Sequence, residues 1–252
     1  MEMKFNTIEL SFIASELDAK SVYGIRSGLE ETAPSEIDSV LASARESLLE
    51  KGIVIADFDG NTGILPEAEQ ILRTVFFCDR FISAVIRKGT MQTALLYHID
   101  KDRVVETEVA EERYQMRPVT AQECAEHLAA LCSGKEETGS DLSPFVLSVA
   151  AMNRIGQAEQ KEELLRKENV PEDAVGIVKD MLERNSHFVS VEYLDERETG
   201  RVSGVIFLRT PQGTVRLVPT VVGYENCVEF RTETAAKIRE DLKMEAAGIL
   251  ER

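Results

Sequence analysis

The stretch RFISAV at residues 80–85 decides the fold because a similar stretch, HFVSVE, follows at residues 187–192, an offset of 107 positions. Both are rich in the β-branched and aromatic residues that favour strands. Three more matches occur in the same order, at offsets of 105, 110 and 114 residues. They are LPEAE at 65–69 with VPEDA at 170–174, ALLY at 94–97 with GVIF at 204–207, and Thr120 with Thr234, each opening a helix. The offset grows at loops, where insertions are tolerated, so the sequence predicts an internal duplication.

Each half is predicted to run helix, helix, several strands, helix. Apolar residues at helical spacing over 37–48 predict a helix, and Gly52 follows where a glycine commonly ends one. A capping-box pattern at 120–123 opens the closing helix of the first half. The predicted strands lie at 53–56, three or four of them at 80–118, and at 187–195, 202–210, 213–221 and 224–231.

Short turns join these strands, so neighbouring strands are predicted to be antiparallel, because parallel strands need long crossover connections. The predicted fold class is α+β, with two pseudo-repeat halves that are each an antiparallel β-meander flanked by helices. A polar linker at 133–141 places the halves at 1–133 and 142–252. The two halves could form separate domains, but apolar helix faces in both halves favour a shared core and one composite domain.

Composition narrows the class of protein. The chain has 252 residues, 43% of them hydrophobic, and a formal net charge of −16. That charge disfavours nucleic acid and anionic membranes as partners. No basic segment followed by an apolar one opens the chain, and no apolar run approaches the ~20 residues that span a bilayer. Four scattered cysteines suggest buried free thiols in a reducing compartment. We therefore expect a soluble, cytoplasmic protein without membrane insertion.

No motif for catalysis or for a cofactor stands out. Cys124, His127 and Cys132 share a predicted helix, but zinc sites usually draw ligands from closer pairs or from two elements. The acidic stretch at 57–61 lacks the later glycine and glutamate of a calcium loop. No serine sits in a nucleophile elbow. The sequence therefore favours a binding protein over an enzyme, with no metal and no cofactor, and the alternative is a small-molecule-binding or enzymatic protein with an unrecognised pocket.

Several segments resemble the EspG-type chaperones of type VII (ESX) secretion. They are the start of a short helix at 8–10, LLEKGIV at 48–54, ILPE at 64–67, and GRVSGVIFL at 200–208, which leads through the turn at 210–213 into another strand. The resemblance implies a non-enzymatic chaperone that holds a secreted helical-hairpin protein soluble before export. It also implies a protein partner.

A sheet face combined with helices can form an apolar groove for such a partner. The candidate contacts are in the second half: Val205, Phe207, Met244, Ile249 and Leu250. The alternative is that Val205 and Phe207 are core residues and that the C-terminal ones belong to a frayed helix end. A homodimer with a structural role also stays open.

Overall fold

The computed structural model describes residues 2–19, 22–30, 32–58, 61–133, 143–183, 185–195, 201–210 and 213–250, without the side chains of residues 201–203, 245, 249 and 250. All of the predicted linker except Ser133 therefore lies outside the described residues. The strands of the described part are β1 Met3–Asn6, β2 Val54–Ala56, β3 Thr62–Ile64, β4 Arg80–Lys88, β5 Met91–Asp100, β6 Arg103–Ala110, β7 Arg113–Val119, β8 Phe145–Ser148, β9 His187–Asp195, β10 Arg201–Thr210, β11 Gly213–Val222 and β12 Glu225–Thr232. The helices are α1 Thr7–Glu16, α2 Ile37–Glu50, α3 Pro66–Phe76, α4 Ala121–Ser133, α5 Val149–Gly156, α6 Lys161–Lys167, α7 Glu172–Leu182 and α8 Ala235–Leu250.

Local sequence signals set the helix ends. Asn6 caps α1 by accepting a hydrogen bond from the Glu9 amide at 2.8 Å, and the Glu9 carboxylate accepts one from the Asn6 amide at 2.9 Å. Thr120 and Glu123 form the same reciprocal pair before α4, which confirms the predicted capping box. Gly52 has a φ of +66° just after α2, in the left-handed region that glycine adopts without strain.

Ten of the described strands form one antiparallel sheet in the order β1-β7-β6-β5-β4-β9-β10-β11-β12-β8, and β2 and β3 form a separate hairpin. The α+β class with a large antiparallel sheet is therefore confirmed. The halves meet where β4 pairs with β9, with Ala84 opposite Val191 near the middle. Counted outward from this pair, the strand order is β4-β5-β6-β7-β1 in the first half and β9-β10-β11-β12-β8 in the second. In both halves the four strands of the meander come first, and the short strand that precedes them in the chain lies at the edge. That order is compatible with the predicted duplication, which itself stays a prediction.

Helices cover the two faces of the sheet differently. On one face, here called the α4/α8 face, both closing helices pack on the centre of the sheet. This central core takes residues from both halves, among them Ile82 and Tyr97 from the first and Val191 and Phe207 from the second. On the opposite face, the first half packs around Phe5, Leu72 and Met116 with α1 to α3. The second half packs around Leu147, Val178 and Phe230 with α5 and α7, and this leaves the middle of that face between two helical layers.

Three strands, β1, β3 and β8, were not among the predicted ones. β1 and β8, each four residues long, form the outer edges of the sheet. β1 pairs with β7 and β8 pairs with β12, so both are recruited by a partner strand distant in sequence. Four residues give too short a pattern to identify a strand without that partner. No helix in the described part of the chain is both long enough and apolar enough to cross a membrane.

Candidate functional site

The middle of the opposite face carries an open groove, which we call the central groove. Its volume is about 760 Å³. It lies between the turn that joins β4 to β5, the end of α7 and the start of β9. The described lining residues are Val85, Arg87, Gly89, Thr90, Met91, Gln92, Met181, Ser186, Phe188, Ser190, Glu192, Ile206 and Leu217. A groove of this size with a mixed apolar and polar lining can accommodate a small ligand or part of a protein surface.

Strand alternation decides which residues form the groove. Ser190 of β9 pairs with Val85 on one side and with Ile206 on the other, so these three side chains form one row across the floor. Ile206 is 39% exposed, although it lies on an inner strand of the sheet. In the next row Gly204 has no side chain, and a Cβ there would lie 3.0 Å from the carbonyl oxygen of Val191. Ser190 and Gly204 therefore add little side-chain volume to this part of the sheet.

The described lining of the groove carries few ionisable side chains. Its described lining contains one guanidinium, Arg87, and one carboxylate, Glu192, and no histidine or cysteine. Arg87 Nε donates a hydrogen bond to the side-chain oxygen of Gln92 at 3.1 Å. Among the described lining residues no pair of titratable groups is placed to act as general acid and base. The arrangement can bind an apolar surface and orient it through charges at its margin.

The first half covers the matching position with its own chain. Leu96 of β5 pairs with Ser83, as Ile206 of β10 pairs with Ser190, and both serines directly precede the central Ala84–Val191 pair. Leu96 is only 3% exposed. The segment at residues 22–30, which we call the strap, lies over it.

Aromatic stacking and hydrogen bonds hold the strap in place. The ring of Tyr23 stacks on the ring of Phe81, with centroids 5.6 Å apart. His98 Nε2 donates to the carbonyl oxygen of Tyr23 at 3.0 Å. Burial lowers the pKa of His98 from 6.5 to about 4, so the ring is neutral near pH 7 and this donor is kept. Gly24 approaches so closely that an added Cβ would lie 2.6 Å from Leu96 Cδ1.

Among the described side chains, the residues predicted to bind a partner do not form one exposed surface. Val205 and Phe207 are 6% and 1% exposed and belong to the core under α4 and α8, so the prediction is corrected for these two. Met244 lies on α8 and is 68% exposed. Ile249 and Leu250 end the same helix, and their side chains lie outside the described set. The sequence analysis did not include Ile206 among the candidate contacts, although strand alternation places its side chain on the other face from those of Val205 and Phe207.

A cluster of polar side chains lies on the α4/α8 face, on the other side of the sheet from the groove. The Glu106 carboxylate is within 2.6 Å of Arg117 Nη2 and of His127 Nδ1, and it raises the pKa of Arg117. Burial raises the pKa values of the nearby Tyr97 hydroxyl and Cys124 thiol. All four cysteines are buried. Within the described ranges no three His, Cys, Asp or Glu side chains are grouped to hold a metal ion. Because His127 contacts Glu106, we assign this cluster to holding α4 on the sheet.

A solved structure shares the α+β fold of this chain. The Mycobacterium tuberculosis type VII secretion system chaperone EspG5, solved in complex with a PE25-PPE41 dimer, matches with a TM-score of 0.69 and 11% identity. The match covers 99% of this chain and 97% of EspG5. A hypothetical protein also matches, with a TM-score of 0.18 and 10% identity over 97% of this chain and 96% of its own, which is too dissimilar to support an argument.

The sequence itself finds no match among protein-family models or curated proteins. At 11% identity the EspG5 likeness shows a shared fold. The fold expected from the resemblance in sequence is thereby confirmed.

Proposed function

We propose that this chain is a non-enzymatic cytosolic protein that holds a helical-hairpin protein of type VII secretion soluble before export. The observation that carries the proposal is the full-length fold likeness to EspG5, a chaperone solved together with its PE25-PPE41 protein partner. A formal charge of −16 supports the role, because a strongly charged surface limits self-association while an apolar partner is bound.

The central groove is the surface we assign to the partner. A helix with its side chains is about 10–12 Å wide, and helices commonly bind by laying an apolar face into a groove. Ile206, Phe188 and Met181 offer apolar contacts at its floor and wall. Arg87 and Glu192 supply charges that can fix the orientation of the partner.

Affinity capture from the native cytosol at moderate salt tests this function. We expect the tagged chain to recover one small secreted protein in stoichiometric amount, with a helical circular dichroism spectrum. Ile206→Asp should reduce recovery by about tenfold or more, because it places a charge on the apolar floor. Val221→Asp is the matched control, since Val221 is 64% exposed near the end of β11 and does not line the groove.

Two outcomes would overturn the proposal. One is recovery of nothing by abundant, folded bait. The other is equal recovery by the Ile206→Asp and wild-type baits, which would remove the groove as the binding surface. Light scattering on the same samples addresses the homodimer alternative, because a dimer would have twice the 28.1 kDa mass of the chain.

A further inference from the structure

Three neighbouring strands carry a row of basic side chains on the α4/α8 face, which we call the basic row. Lys88 of β4 lies opposite His187 of β9, and His187 lies opposite Arg209 of β10. Alternation from the core residues of the same strands places all three side chains on this face. Residues directly opposite in antiparallel strands have Cβ atoms about 4.5–5.5 Å apart. An ammonium and a guanidinium group therefore flank one imidazole.

The basic row lacks a carboxylate among the described residues. None of its three side chains forms an ion pair there, although like charges on neighbouring strands repel each other. Arg209 Nη2 reaches the carbonyl oxygen of Ala130 at 3.5 Å, at the limit of hydrogen-bond distance. Arg209 Nε and His187 Nε2 are shielded and have no hydrogen-bond partner within the described part of the chain. Shielded polar nitrogens are normally paired with a protein group, a water molecule or an ion.

A pair of arginines on the same face shows the usual way in which this sheet neutralises positive charge. Arg216 of β11 lies opposite Arg231 of β12. Arg216 Nη1 lies 3.1 Å from Asp241 Oδ2 and 3.5 Å from Glu233 Oε2. Arg231 Nη2 lies 2.7 Å from Glu229 Oε2. Three carboxylates thus surround two arginines here, whereas the basic row has none among the described residues.

We propose that the basic row binds a phosphate group, carried either by free phosphate or by a small phosphate ester. Arginine and lysine are the residues that most often bind phosphate oxygens in proteins. Lys88 and Arg209 lie two strands apart, about 10 Å, and their side chains are long enough to converge above His187. A formal charge of −16 disfavours a polyanion, while a small anion needs only a local positive field. The site lies across the sheet from the central groove and does not depend on the proposed function.

The electrostatics of the basic row agree with an anion site. Burial, followed by the charges of Arg209 and Lys88, lowers the pKa of His187. Burial also lowers the pKa of Arg209. A bound anion opposes both shifts, because it stabilises the protonated forms. Binding of phosphate is therefore expected to be visible at the imidazole of His187.

Histidine NMR signals give a readout of this site, because the chain has three histidines and one of them lies in the basic row. Inorganic phosphate is titrated into the full chain at constant pH and ionic strength, with sodium chloride making up the balance. We expect the ring signal of His187 to shift saturably, with a dissociation constant of roughly 1 mM. The ring signals of His98 and His127 should stay in place. His187→Gln removes one signal and so assigns it.

Sulfate tests the electrostatic origin of the shift. It has the same tetrahedral shape as phosphate and keeps both negative charges throughout the pH range in which histidine titrates. The pKa of His187 is measured by NMR in sodium sulfate and in sodium chloride of equal ionic strength. We expect it to be higher in sulfate by about 0.5 or more, because the bound dianion stabilises the imidazolium.

Charge-removing variants locate the site. Lys88→Gln and Arg209→Gln should each weaken phosphate binding about five- to tenfold, because each removes one of the two flanking charges. Arg231→Gln is the matched control, since Arg231 shares the face but is paired with Glu229, and it should leave the affinity within about twofold. Thermal unfolding shows that each variant is folded. Lys88 is exposed, so its variant tests the site without disturbing the core.

The remaining outcomes decide the proposal. A shift of the His187 signal that sodium chloride reproduces, or that both variants leave unchanged, means general screening of charge and overturns the site. So does the absence of a saturable shift up to about 20 mM phosphate. Glycerol 3-phosphate distinguishes the two sources of the phosphate group. Tighter binding of this ester than of inorganic phosphate indicates a phosphorylated small molecule as the ligand, and equal or weaker binding indicates free phosphate.

Discussion

The two halves of the opposite face differ at one register position. Leu96 and Ile206 each pair with a serine beside the centre of the sheet, and their exposed fractions are 3% and 39%. The first half covers its residue with the strap at residues 22–30. In the described part of the second half the equivalent surface lines the central groove instead. The same strand framework therefore gives a closed core in one half and an open surface in the other.

The difference teaches that a covering segment, rather than the strand, decides whether this face is core or surface. Both positions carry a large aliphatic side chain, so the strands alone would make either one a core residue. The strap contacts its floor through a ring stack, one hydrogen bond and a close main-chain approach. The predictions that follow test how much each of these contributes.

Truncation of the two aliphatic residues should have unequal effects on stability. Leu96→Ala should lower the free energy of unfolding by about 2–4 kcal/mol, because it leaves a cavity beneath the strap. Ile206→Ala should cost about 1 kcal/mol or less, because the side chain is already partly in water. Denaturant unfolding of both variants measures the difference, and equal losses would break the comparison.

The buried His98 should make the first half sensitive to acid. Its pKa is about 4 in the folded chain against 6.5 ordinarily, so between these values the unfolded chain binds the extra proton. Stability from this residue is therefore complete above pH 6.5 and is lost as the pH falls towards 4, by about 3 kcal/mol in total. Carboxylates also titrate in this range, so the control is His98→Leu, which copies the matching Leu208. The stability advantage of the wild type over this variant should shrink from pH 7 to pH 5, and a constant difference would contradict the prediction.

Alanine substitutions at two glycines distinguish the free-energy cost of a steric clash from the cost of backbone strain. Gly24 and Gly223 have φ values of +71° and +64°, so alanine is strained at both. A Cβ would meet Leu96 at Gly24, but nothing lies within 4 Å at Gly223. Gly223→Ala should cost about 1 kcal/mol, and Gly24→Ala about 1–3 kcal/mol more. Thermal and denaturant unfolding would show the gap, and its absence would mean that the strap yields freely.

The exposed Met244 should have the smallest effect. Met244→Glu keeps a good helix former on an exposed position of α8, so the free energy of unfolding should change by less than about 0.5 kcal/mol. Partner capture should also be unchanged, in contrast to Ile206→Asp. If Met244→Glu lowers capture more than Ile206→Asp does, the partner binds the α8 side that the sequence analysis proposed and the groove is the wrong surface.

Much of the fold follows from local patterns in the sequence. The predicted strands at 187–195, 202–210, 213–221 and 224–231 differ from β9 to β12 by at most one residue at either end. The closing helix carries apolar residues at helical spacing, and Ala235, Ile238, Leu242 and Ala246 among them are buried. These predictions succeed because strand and helix periods are properties of neighbouring residues. The four-residue edge strands were missed because they depend on a distant partner strand.

The candidate site was less accessible to sequence reasoning. Val205, Ile206 and Phe207 are all large and apolar, and alternation shows that Ile206 faces away from its two neighbours. It does not show which of the two faces a helix will cover. The sequence analysis proposed Val205 and Phe207, and the packing of α4 and α8 put both in the core.

By itself, the sequence determined the acidic character, the positions of most helices and strands, and the antiparallel pairing of strands joined by short turns, since each depends on composition or on residues close in the chain. Only the tertiary structure decided that β4 pairs with β9 to make one sheet. It also decided that the strap covers Leu96 while Ile206 lines an open groove. These outcomes depend on contacts between residues far apart in sequence, and the free energy of such contacts has no local pattern from which it can be read.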